Sequence, residues 1–191
     1  MQDKDLIWEE VSTEHLIRDE WIDFRKTAFR MPDGRVFQPY YSYSRRNYAV
    51  IVASDEKGDY ICVRQFRQGI RKVTTELPAG AIETRDGEDP EQAAEAALHA
   101  AQRELREETG YVSDDWRFLL TIPSSPTISD NDAWLFEARN CRLEKEQDLD
   151  EMEFIHVRKH TAQEVEEMIE TGQFPQAVHA LAWMLARKKN G

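Results

Sequence analysis

The chain has 191 residues and a formal net charge of −12, from 37 acidic and 25 basic side chains. Proteins that bind nucleic acids or anionic membranes through charge present a basic field, so this balance argues against both as partners. The length suits one catalytic domain with a small extension and is sufficient to bury a substantial core.

The cysteines and the N-terminus predict a cytoplasmic protein. Cys62 and Cys141 lack the spacing of a metal site, and we expect both to be reduced thiols. No apolar run approaches the thickness of a bilayer, and the charged stretch from Asp3 to Glu10 does not fit a signal peptide.

Residues 1–45 are rich in aromatic side chains and contain the turn sequence Pro32-Asp33-Gly34. Aromatic alternation on both sides of such a turn predicts a β-hairpin or a small antiparallel sheet. We therefore expect residues 1–45 to form an N-terminal β extension and residues 46–191 to form the catalytic domain.

The rest of the chain predicts an α/β fold, in which a mixed sheet is sandwiched between helices. Short apolar runs predict strands over 48–53, 60–63, 116–122, 133–138 and 154–157. Helical signals predict helices over about 90–109, 161–171 and 176–188. Asp89 and Pro90 are a suitable N-cap and first-turn proline for the first helix, and Thr161 with Glu164 makes a capping box for the second.

Three glutamates near the end of the first predicted helix suggest a metal site. Helical spacing places Glu104, Glu107 and Glu108 on one face, where like charges oppose the helix by roughly a few tenths of a kcal/mol per pair. A hard divalent cation, which prefers oxygen ligands, would compensate for this repulsion. Gly110 is suited to end the helix. The plain alternative is a solvated acidic face on which Arg103 and Glu107 form an i,i+4 pair.

The residues around these glutamates resemble the signature of the Nudix hydrolase family. That signature runs Gly, five residues, Glu, seven residues, Arg-Glu, an aliphatic residue, any residue, Glu-Glu, any residue, Gly and an aliphatic residue. Residues 103–110 fit its second half at every fixed position, and Tyr111 takes the last place. Glu95 stands eight positions before Arg103, as the signature requires.

The first half of the signature departs from the family pattern. Counting back from Glu95 puts Asp89 in the place of the glycine, so the glycine could instead be Gly80, with nine extra residues inside the motif. Alternatively, Glu88 is the family's glutamate and the helix has gained seven residues, nearly two turns, which would keep its facing almost unchanged. Both alternatives stay open at this point.

Three other segments resemble the ADP-ribose pyrophosphatases of this family: Arg64-Gln65-Phe66-Arg67, Glu76-Leu77-Pro78-Ala79-Gly80 and Ser125-Pro126-Thr127-Ile128-Ser129-Asp130. The resemblance implies that Arg67, Glu76 and Pro126 contact the substrate, with Arg67 on the diphosphate. It also implies that the Ala79 carbonyl joins the glutamates around Mg²⁺, for which Mn²⁺ is a substitute. Alternatively, Arg67 ends a strand and pairs with a nearby acid.

The acidic stretch 148–157 resembles the loop that carries a catalytic glutamate in these enzymes. Aligning the predicted strand 154–157 puts Glu151 and Glu153 at the two candidate positions. Glu151 is favoured because Glu153 abuts the strand. An ordinary solvated acidic loop is the alternative.

The resemblance implies Mg²⁺-dependent hydrolysis of a nucleoside diphosphate sugar, with ADP-ribose yielding AMP and ribose 5-phosphate. The nucleobase would stack on an aromatic side chain of the N-terminal sheet, with Trp8, Trp21 and residues 40–43 as candidates; alternatively, each of these aromatics packs in a core or an interface. The resemblance also implies a homodimer with this sheet at the contact. His99 and His156 are left out of the site because Mg²⁺ prefers oxygen ligands. The alternatives are hydrolysis of a GDP- or UDP-sugar, of NADH or of a dinucleoside polyphosphate, or a non-catalytic nucleotide-sugar sensor.

Overall fold

The computed structural model describes residues 3–87 and 90–189, which form two compact units. The first unit comprises the described residues of Met1–Arg46 together with Pro123–Asp132. The second comprises the described residues of Asn47–Ile122 and Ala133–Gly191.

The first unit is a three-stranded antiparallel sheet in the order β1-β2-β3, as predicted for this part of the chain. Its strands are β1 (Glu9–Arg18), β2 (Asp23–Arg30) and β3 (Val36–Ser44). Gly34 makes the predicted turn between β2 and β3 with a φ of 85°. Asp130, in the segment Pro123–Asp132, accepts hydrogen bonds from Ser44 (2.6 Å) and Arg25 (3.0 Å). These two bonds explain why a segment so late in the sequence belongs to this unit.

The second unit is built on a mixed sheet of eight described strands. They are β4 (Tyr48–Asp55), β5 (Tyr60–Arg67), β6 (Lys72–Glu76), β7 (Ala79–Ala81), β8 (Tyr111–Val112), β9 (Asp115–Pro123), β10 (Asp132–Leu143) and β11 (His156–His160). The main order is β11-β5-β4-β10-β8, and β10 runs parallel to β4. Off this path, β6 pairs with β5, β7 with β4 and β9 with β10.

Helices cover both faces of this sheet, as the α/β prediction requires. The described helices are α1 (Ala93–Thr109), α2 (Ala162–Glu170) and α3 (Ala177–Lys189). Ala97, Ala101 and Leu105 of α1 pack with Ile51 and Ile61. On the other side, Val165 of α2 and Ala182 and Trp183 of α3 pack with Val50 and Val52. Since both faces are covered, residues 49–53 of β4 are all apolar and fully buried.

Several boundaries differ from the sequence prediction. A short 3-10 helix, Pro90–Gln92, precedes α1, and Asp89, the predicted N-cap, lies outside the described residues. The strand predicted over 154–157 begins only at His156, where its pairing with Arg64 of β5 starts, and Phe154 is 85% exposed in the preceding loop. The short strands β6, β7 and β8 were not predicted.

Both cysteines are free and buried, and burial raises the pKa of each thiol to about 12. Across 3–87 and 90–189, no helix combines the length and the apolar character needed to cross a bilayer.

Candidate active site

The last turns of α1 place two carboxylates in the protein interior. Glu104 is 8% exposed and Glu108 is 3% exposed, while Glu107 is half-buried. The helix ends at Gly110, whose φ of 77° is left-handed and whose amide donates to the Arg106 carbonyl at 2.9 Å. A Cβ at Gly110 would lie 2.1 Å from the Lys145 carbonyl oxygen, so this position requires glycine.

The strand β7 borders these carboxylates. The Ala79 amide donates a hydrogen bond to Glu108 Oε2 at 3.0 Å. A Cβ added to Gly80 would lie between 2.0 and 2.3 Å from the carboxylate atoms of Glu104. The glycine at this position therefore leaves the space that the Glu104 carboxylate fills.

Arg103 forms hydrogen bonds both with the glutamates of α1 and with the segment that follows β7. Its guanidinium donates to Glu104 Oε1 at 2.8 Å and to Glu107 Oε2 at 2.9 Å. It also donates to the Ala81 carbonyl at 2.9 Å and to both carboxylate oxygens of Asp86, at 2.9 and 3.0 Å. Arg103 thus connects the carboxylates of α1 to the segment that follows β7.

Asp86 is a site residue that the sequence analysis missed. It lies six positions after Gly80, where the Nudix signature has its glutamate, and sixteen residues (87–102) separate it from Arg103 where the signature has seven. Glu95 is exposed in the first turn of α1, and Glu88 lies outside the described residues. The Asp86–Arg103 pairing supports Gly80 as the glycine of the signature, but it puts Asp86 in the place of the glutamate, where the sequence analysis had considered Glu95 and Glu88. The nine extra residues then lie between Asp86 and Arg103 and not between Gly80 and Glu95. Its sequence signal was an aspartate at the glutamate spacing.

The buried carboxylates carry strongly perturbed pKa values. Burial raises the pKa of Glu104 to about 7; the charge of Arg103 opposes this shift, and those of Glu107 and Glu153 add to it. Burial, followed by the charge of Glu104, raises the pKa of Glu108 well above its usual value, against the hydrogen bond from Ala79. A cation placed between these groups would remove this repulsion.

The donor set fits a hard divalent cation that keeps part of its shell for water and substrate. Within 3–87 and 90–189, no group of three or more carboxylate, imidazole or thiol side chains closes into a metal cage. Arg103 instead holds Glu107 and one oxygen of Glu104. The carboxylates of Glu104 and Glu108 and the nearby Ala79 backbone are the oxygen donors suited to such a cation.

Arg67, which is half-buried, and the buried Glu76 form an ion pair close to these carboxylates. Arg67 Nε lies 2.9 Å from both oxygens of Glu76, which is fully buried and also accepts a hydrogen bond from Thr74. Burial alone would raise the pKa of Glu76, but the hydrogen bonds from Arg67 and Thr74 outweigh it and the pKa is lowered. Arg67 thus pairs with Glu76, as the alternative interpretation of this arginine predicted. Its charge still acts on the Glu108 carboxylate.

The two candidate bases differ in their surroundings. Glu151 is exposed in a turn, whereas Glu153 is half-buried and its charge raises the pKa of both Glu104 and Glu108. Because β11 begins at His156, Glu153 lies in the loop and does not abut the strand. The half-burial of Glu153 and its electrostatic effect on Glu104 and Glu108 make it the preferred candidate, whereas the sequence favoured Glu151.

The loop that carries Glu153 is anchored to the end of α1. Gln147 Nε2 donates to the Glu108 carbonyl at 2.6 Å and to the Ile155 carbonyl at 3.3 Å. The Asp148 amide donates to the Glu107 carbonyl at 2.9 Å. These bonds satisfy carbonyls that the helix end leaves without intrahelical partners.

The two remaining predicted contacts, Trp21 and Pro126, belong to the first unit. Trp21 is 67% exposed in the turn between β1 and β2, and its amide donates to Asp19 Oδ1 at 2.8 Å. Pro126 is exposed in the segment Pro123–Asp132. His99 lies 3.2 Å from the Asp86 carbonyl and His156 is exposed on β11.

Comparisons with known proteins agree with this geometry. The family model of the NUDIX domain matches residues 44–184. The ADP-ribose pyrophosphatase of Bacillus subtilis (strain 168) is 30% identical over 173 residues, covering 90% of this chain and 88% of that protein. The methanol dehydrogenase activator of Bacillus methanolicus is 28% identical over 155 residues, covering 81% of this chain and 78% of that protein.

A solved structure shows the same fold. The crystal structure of an ADP compounds hydrolase superposes with a TM-score of 0.78 at 20% identity, covering 96% of this chain and 94% of that chain. With the family model matching most of the chain around a signature that ends in Glu107-Glu108-Thr109-Gly110, this protein belongs to the Nudix family.

Proposed function

We propose that this chain hydrolyses the diphosphate bond of ADP-ribose in a Mg²⁺-dependent reaction that yields AMP and ribose 5-phosphate. The observation that carries the proposal is the pair of buried carboxylates, Glu104 and Glu108, with the charge of Arg67 acting on Glu108. The Bacillus subtilis relative named as an ADP-ribose pyrophosphatase, similar over most of both chains, supports the choice of substrate.

The metal site of the proposal uses oxygen donors only. Glu104, Glu108 and the Ala79 carbonyl hold Mg²⁺, and Glu107, which is shared with Arg103, is the third carboxylate. When bound, the metal lowers the pKa of a water molecule and offsets the charge of the diphosphate. Arg103 keeps the carboxylates in place while it remains paired with Asp86.

Glu153 is assigned to proton transfer and Arg67 to the diphosphate. Glu153 accepts the proton of the attacking water, whose oxygen bonds to one phosphorus while the bond from that phosphorus to the bridging oxygen breaks. Arg67 offsets the negative charge on the diphosphate, since a guanidinium stays charged and donates to phosphate oxygens. Glu76 is fully buried, so we assign it to holding Arg67 and not to touching the substrate.

Four features of the sequence prediction stay predictions. They are the homodimer, the cytoplasmic location, stacking of the base on Trp21 and substrate contact by Pro126. The side chains of Trp21 and Pro126 are both exposed, which is compatible with their contacting a substrate.

A substrate panel tests the proposal. ADP-ribose, ADP-glucose, GDP-mannose, UDP-glucose, NADH and diadenosine polyphosphates are incubated with Mg²⁺ and, in parallel, with EDTA, and the products are separated. Metal-dependent release of AMP, fastest from ADP-ribose, is expected. Faster hydrolysis of a GDP- or UDP-sugar would overturn the substrate, and tight binding without turnover would favour the sensor.

A further inference from the structure

The C-terminal helix α3 carries a buried histidine that reaches the segment between β6 and β7. His179 is 3% exposed, and its Nδ1 accepts a hydrogen bond from the Leu77 amide at 3.3 Å. Leu77 itself is fully buried. The two residues are 102 positions apart, so this contact depends on the packing of α3 against the sheet.

The start of α3 provides a second contact with the same segment. Gln176 precedes the helix, and its carbonyl accepts the Ala180 amide at 2.9 Å. Its side-chain Nε2 donates to Glu76 Oε2 at 3.4 Å. Two side chains from one turn therefore contact the consecutive residues Glu76 and Leu77.

Pro78 and Ala79, the next residues of the segment, are held by β4 and by α1. The Pro78 carbonyl accepts the Ile51 amide at 2.9 Å, and the Ala79 amide donates to Glu108 at 3.0 Å. Leu77 lies after the end of β6 and before the start of β7, so it lies outside both strand ladders. His179 supplies a partner for its buried amide, which would otherwise be costly to leave unpaired.

The hydrogen bond defines the state of the histidine. Nδ1 can accept only when it carries no proton, so the ring is neutral and its proton is on Nε2. Burial lowers the pKa of His179 to about 4, the charge of Glu76 opposes this shift and that of Arg67 adds to it. The acceptor is thus available at neutral pH.

We propose that His179 is a positioning residue for the candidate active site. By holding the Leu77 amide, it fixes the backbone that carries Glu76, the partner of Arg67, at one end and Ala79 at the other. The inference rests on the proposed function for its catalytic consequence, and on the contacts of α3 for its structural part.

Three variants separate positioning from general stability. His179→Leu removes the acceptor at similar size, and His179→Asn keeps one, because Asn Oδ1 occupies the place of Nδ1. Leu181→Ala is the matched control, since Leu181 lies on the same helix and packs against the core with an apolar side chain that supplies no hydrogen bond to the Leu77 amide.

In steady-state assays with ADP-ribose, His179→Leu should lower kcat/KM by about tenfold to a hundredfold, as small misplacements near a reacting centre do. It should also raise the Mg²⁺ concentration needed for half-maximal rate. His179→Asn should recover to within about threefold of the wild type, because its acceptor is retained. Leu181→Ala should lower the melting temperature while leaving both kinetic quantities unchanged.

A second readout does not require turnover. Binding of Mn²⁺ to the substrate-free protein, followed by electron paramagnetic resonance, should weaken in His179→Leu but not in Leu181→Ala. Nitrogen-15 spectra should show the Nε2–H tautomer of His179 and a slowly exchanging Leu77 amide in the wild type.

The two readouts make the possible failures distinguishable. If no substrate is hydrolysed but His179→Leu still weakens Mn²⁺ binding, the proposed function fails and the positioning role stands. If ADP-ribose is hydrolysed and His179→Leu matches Leu181→Ala in both kinetics and Mn²⁺ binding, the positioning role is overturned and the function stands.

Discussion

Arg103 donates to both carboxylate oxygens of Asp86, at 2.9 and 3.0 Å, across 17 positions of the sequence. Both side chains are largely buried. Because the same guanidinium holds Glu104 and Glu107, the position of Asp86 determines where these carboxylates lie.

Asp86→Asn should therefore reduce both stability and activity. The loss of charged hydrogen bonds in this largely buried group costs about 1.5–3 kcal/mol, because Glu104 and Glu107 still compensate the charge of Arg103. Urea unfolding measures the stability loss, and kcat/KM for ADP-ribose measures displacement of the carboxylates. Asp114→Asn is the control, because Asp114 pairs with Arg142 on the surface and should cost only about 0–1 kcal/mol. Equal behaviour of the two variants would contradict the assigned role of Asp86.

Gly80→Ala should greatly reduce activity. The added methyl group would lie 2.0 Å from the Glu104 carboxylate carbon, so this side chain has to move, and a displacement of about 1 Å can cost a hundredfold in rate. Gly69→Ala is a matched control, because a Cβ there has nothing within 4 Å. Steady-state kinetics of both variants check the prediction, which fails if Gly80→Ala retains the wild-type rate.

Glu108→Gln should have opposite effects on activity and on metal-free stability. It removes a metal ligand, so turnover should fall by orders of magnitude. In EDTA, the raised pKa of Glu108 means that the folded state binds more protons than the unfolded state above pH 4.5, so the wild type loses stability as pH rises. Glu108→Gln lacks this loss and should be the more stable protein in EDTA at pH 8, as measured by thermal unfolding.

Glu95→Gln provides the comparison for Glu108→Gln. Glu95 is exposed in the first turn of the same helix, so its variant should match the wild type in turnover and in stability. A Glu108→Gln protein with wild-type turnover would show that the metal assignment is wrong.

Glu153→Gln should lower kcat, and Glu151→Gln should not. A positioned general base contributes about 10²- to 10⁴-fold, and Glu153 is the loop glutamate whose charge reaches Glu104 and Glu108. Glu151→Gln is the control for Glu153→Gln, because it makes the same change of charge two positions away in the same acidic loop. Loss of rate in Glu151→Gln alone would return the role to that residue.

His179 should make the protein less stable in mild acid. Its pKa is lowered from 6.5 to about 4 by burial, so the unfolded chain binds a proton that the folded state does not take up. The free energy of unfolding should fall as pH drops from 6.5 towards 4, by at most about 1.4 kcal/mol per pH unit. Urea unfolding of wild type and His179→Asn at several pH values checks this, and parallel pH profiles would refute it.

The sequence was sufficient for the features that depend on local chemistry. Gly110 ends α1 in the left-handed conformation, and Thr161 and Glu164 form the capping box of α2, as their types and spacing predicted. The glutamates Glu104 and Glu108 lie on one helix face because the helical period requires it. The antiparallel sheet of the first unit followed from its aromatic alternation and turn.

Other features depended on tertiary contacts that spacing does not encode. Asp86 stands at the spacing of the family's glutamate, but sixteen residues separate it from Arg103 where the signature has seven, so the ion pair was needed to assign its role. Phe154 and Ile155 read as the start of a strand, yet Phe154 is exposed, and the shifted boundary moved the preference for a base to Glu153. The attachment of the segment Pro123–Asp132 to the first unit rests on contacts of Asp130 across 86 and 105 positions.

Gln147 makes two hydrogen bonds that hold both ends of the acidic loop close to the end of α1. Gln147, at the start of the loop, donates to the Glu108 carbonyl near the end of α1 and to the Ile155 carbonyl at the far end of the loop, two residues after Glu153. Residues 148–152 lie between Gln147 and Glu153 and most are exposed, so their side chains can change in charge and shape while the bonds of Gln147 and the backbone bonds of Asp148 and Asp150 are kept. Selection for a different substrate could therefore act on this short stretch while the proposed base and metal ligands are retained.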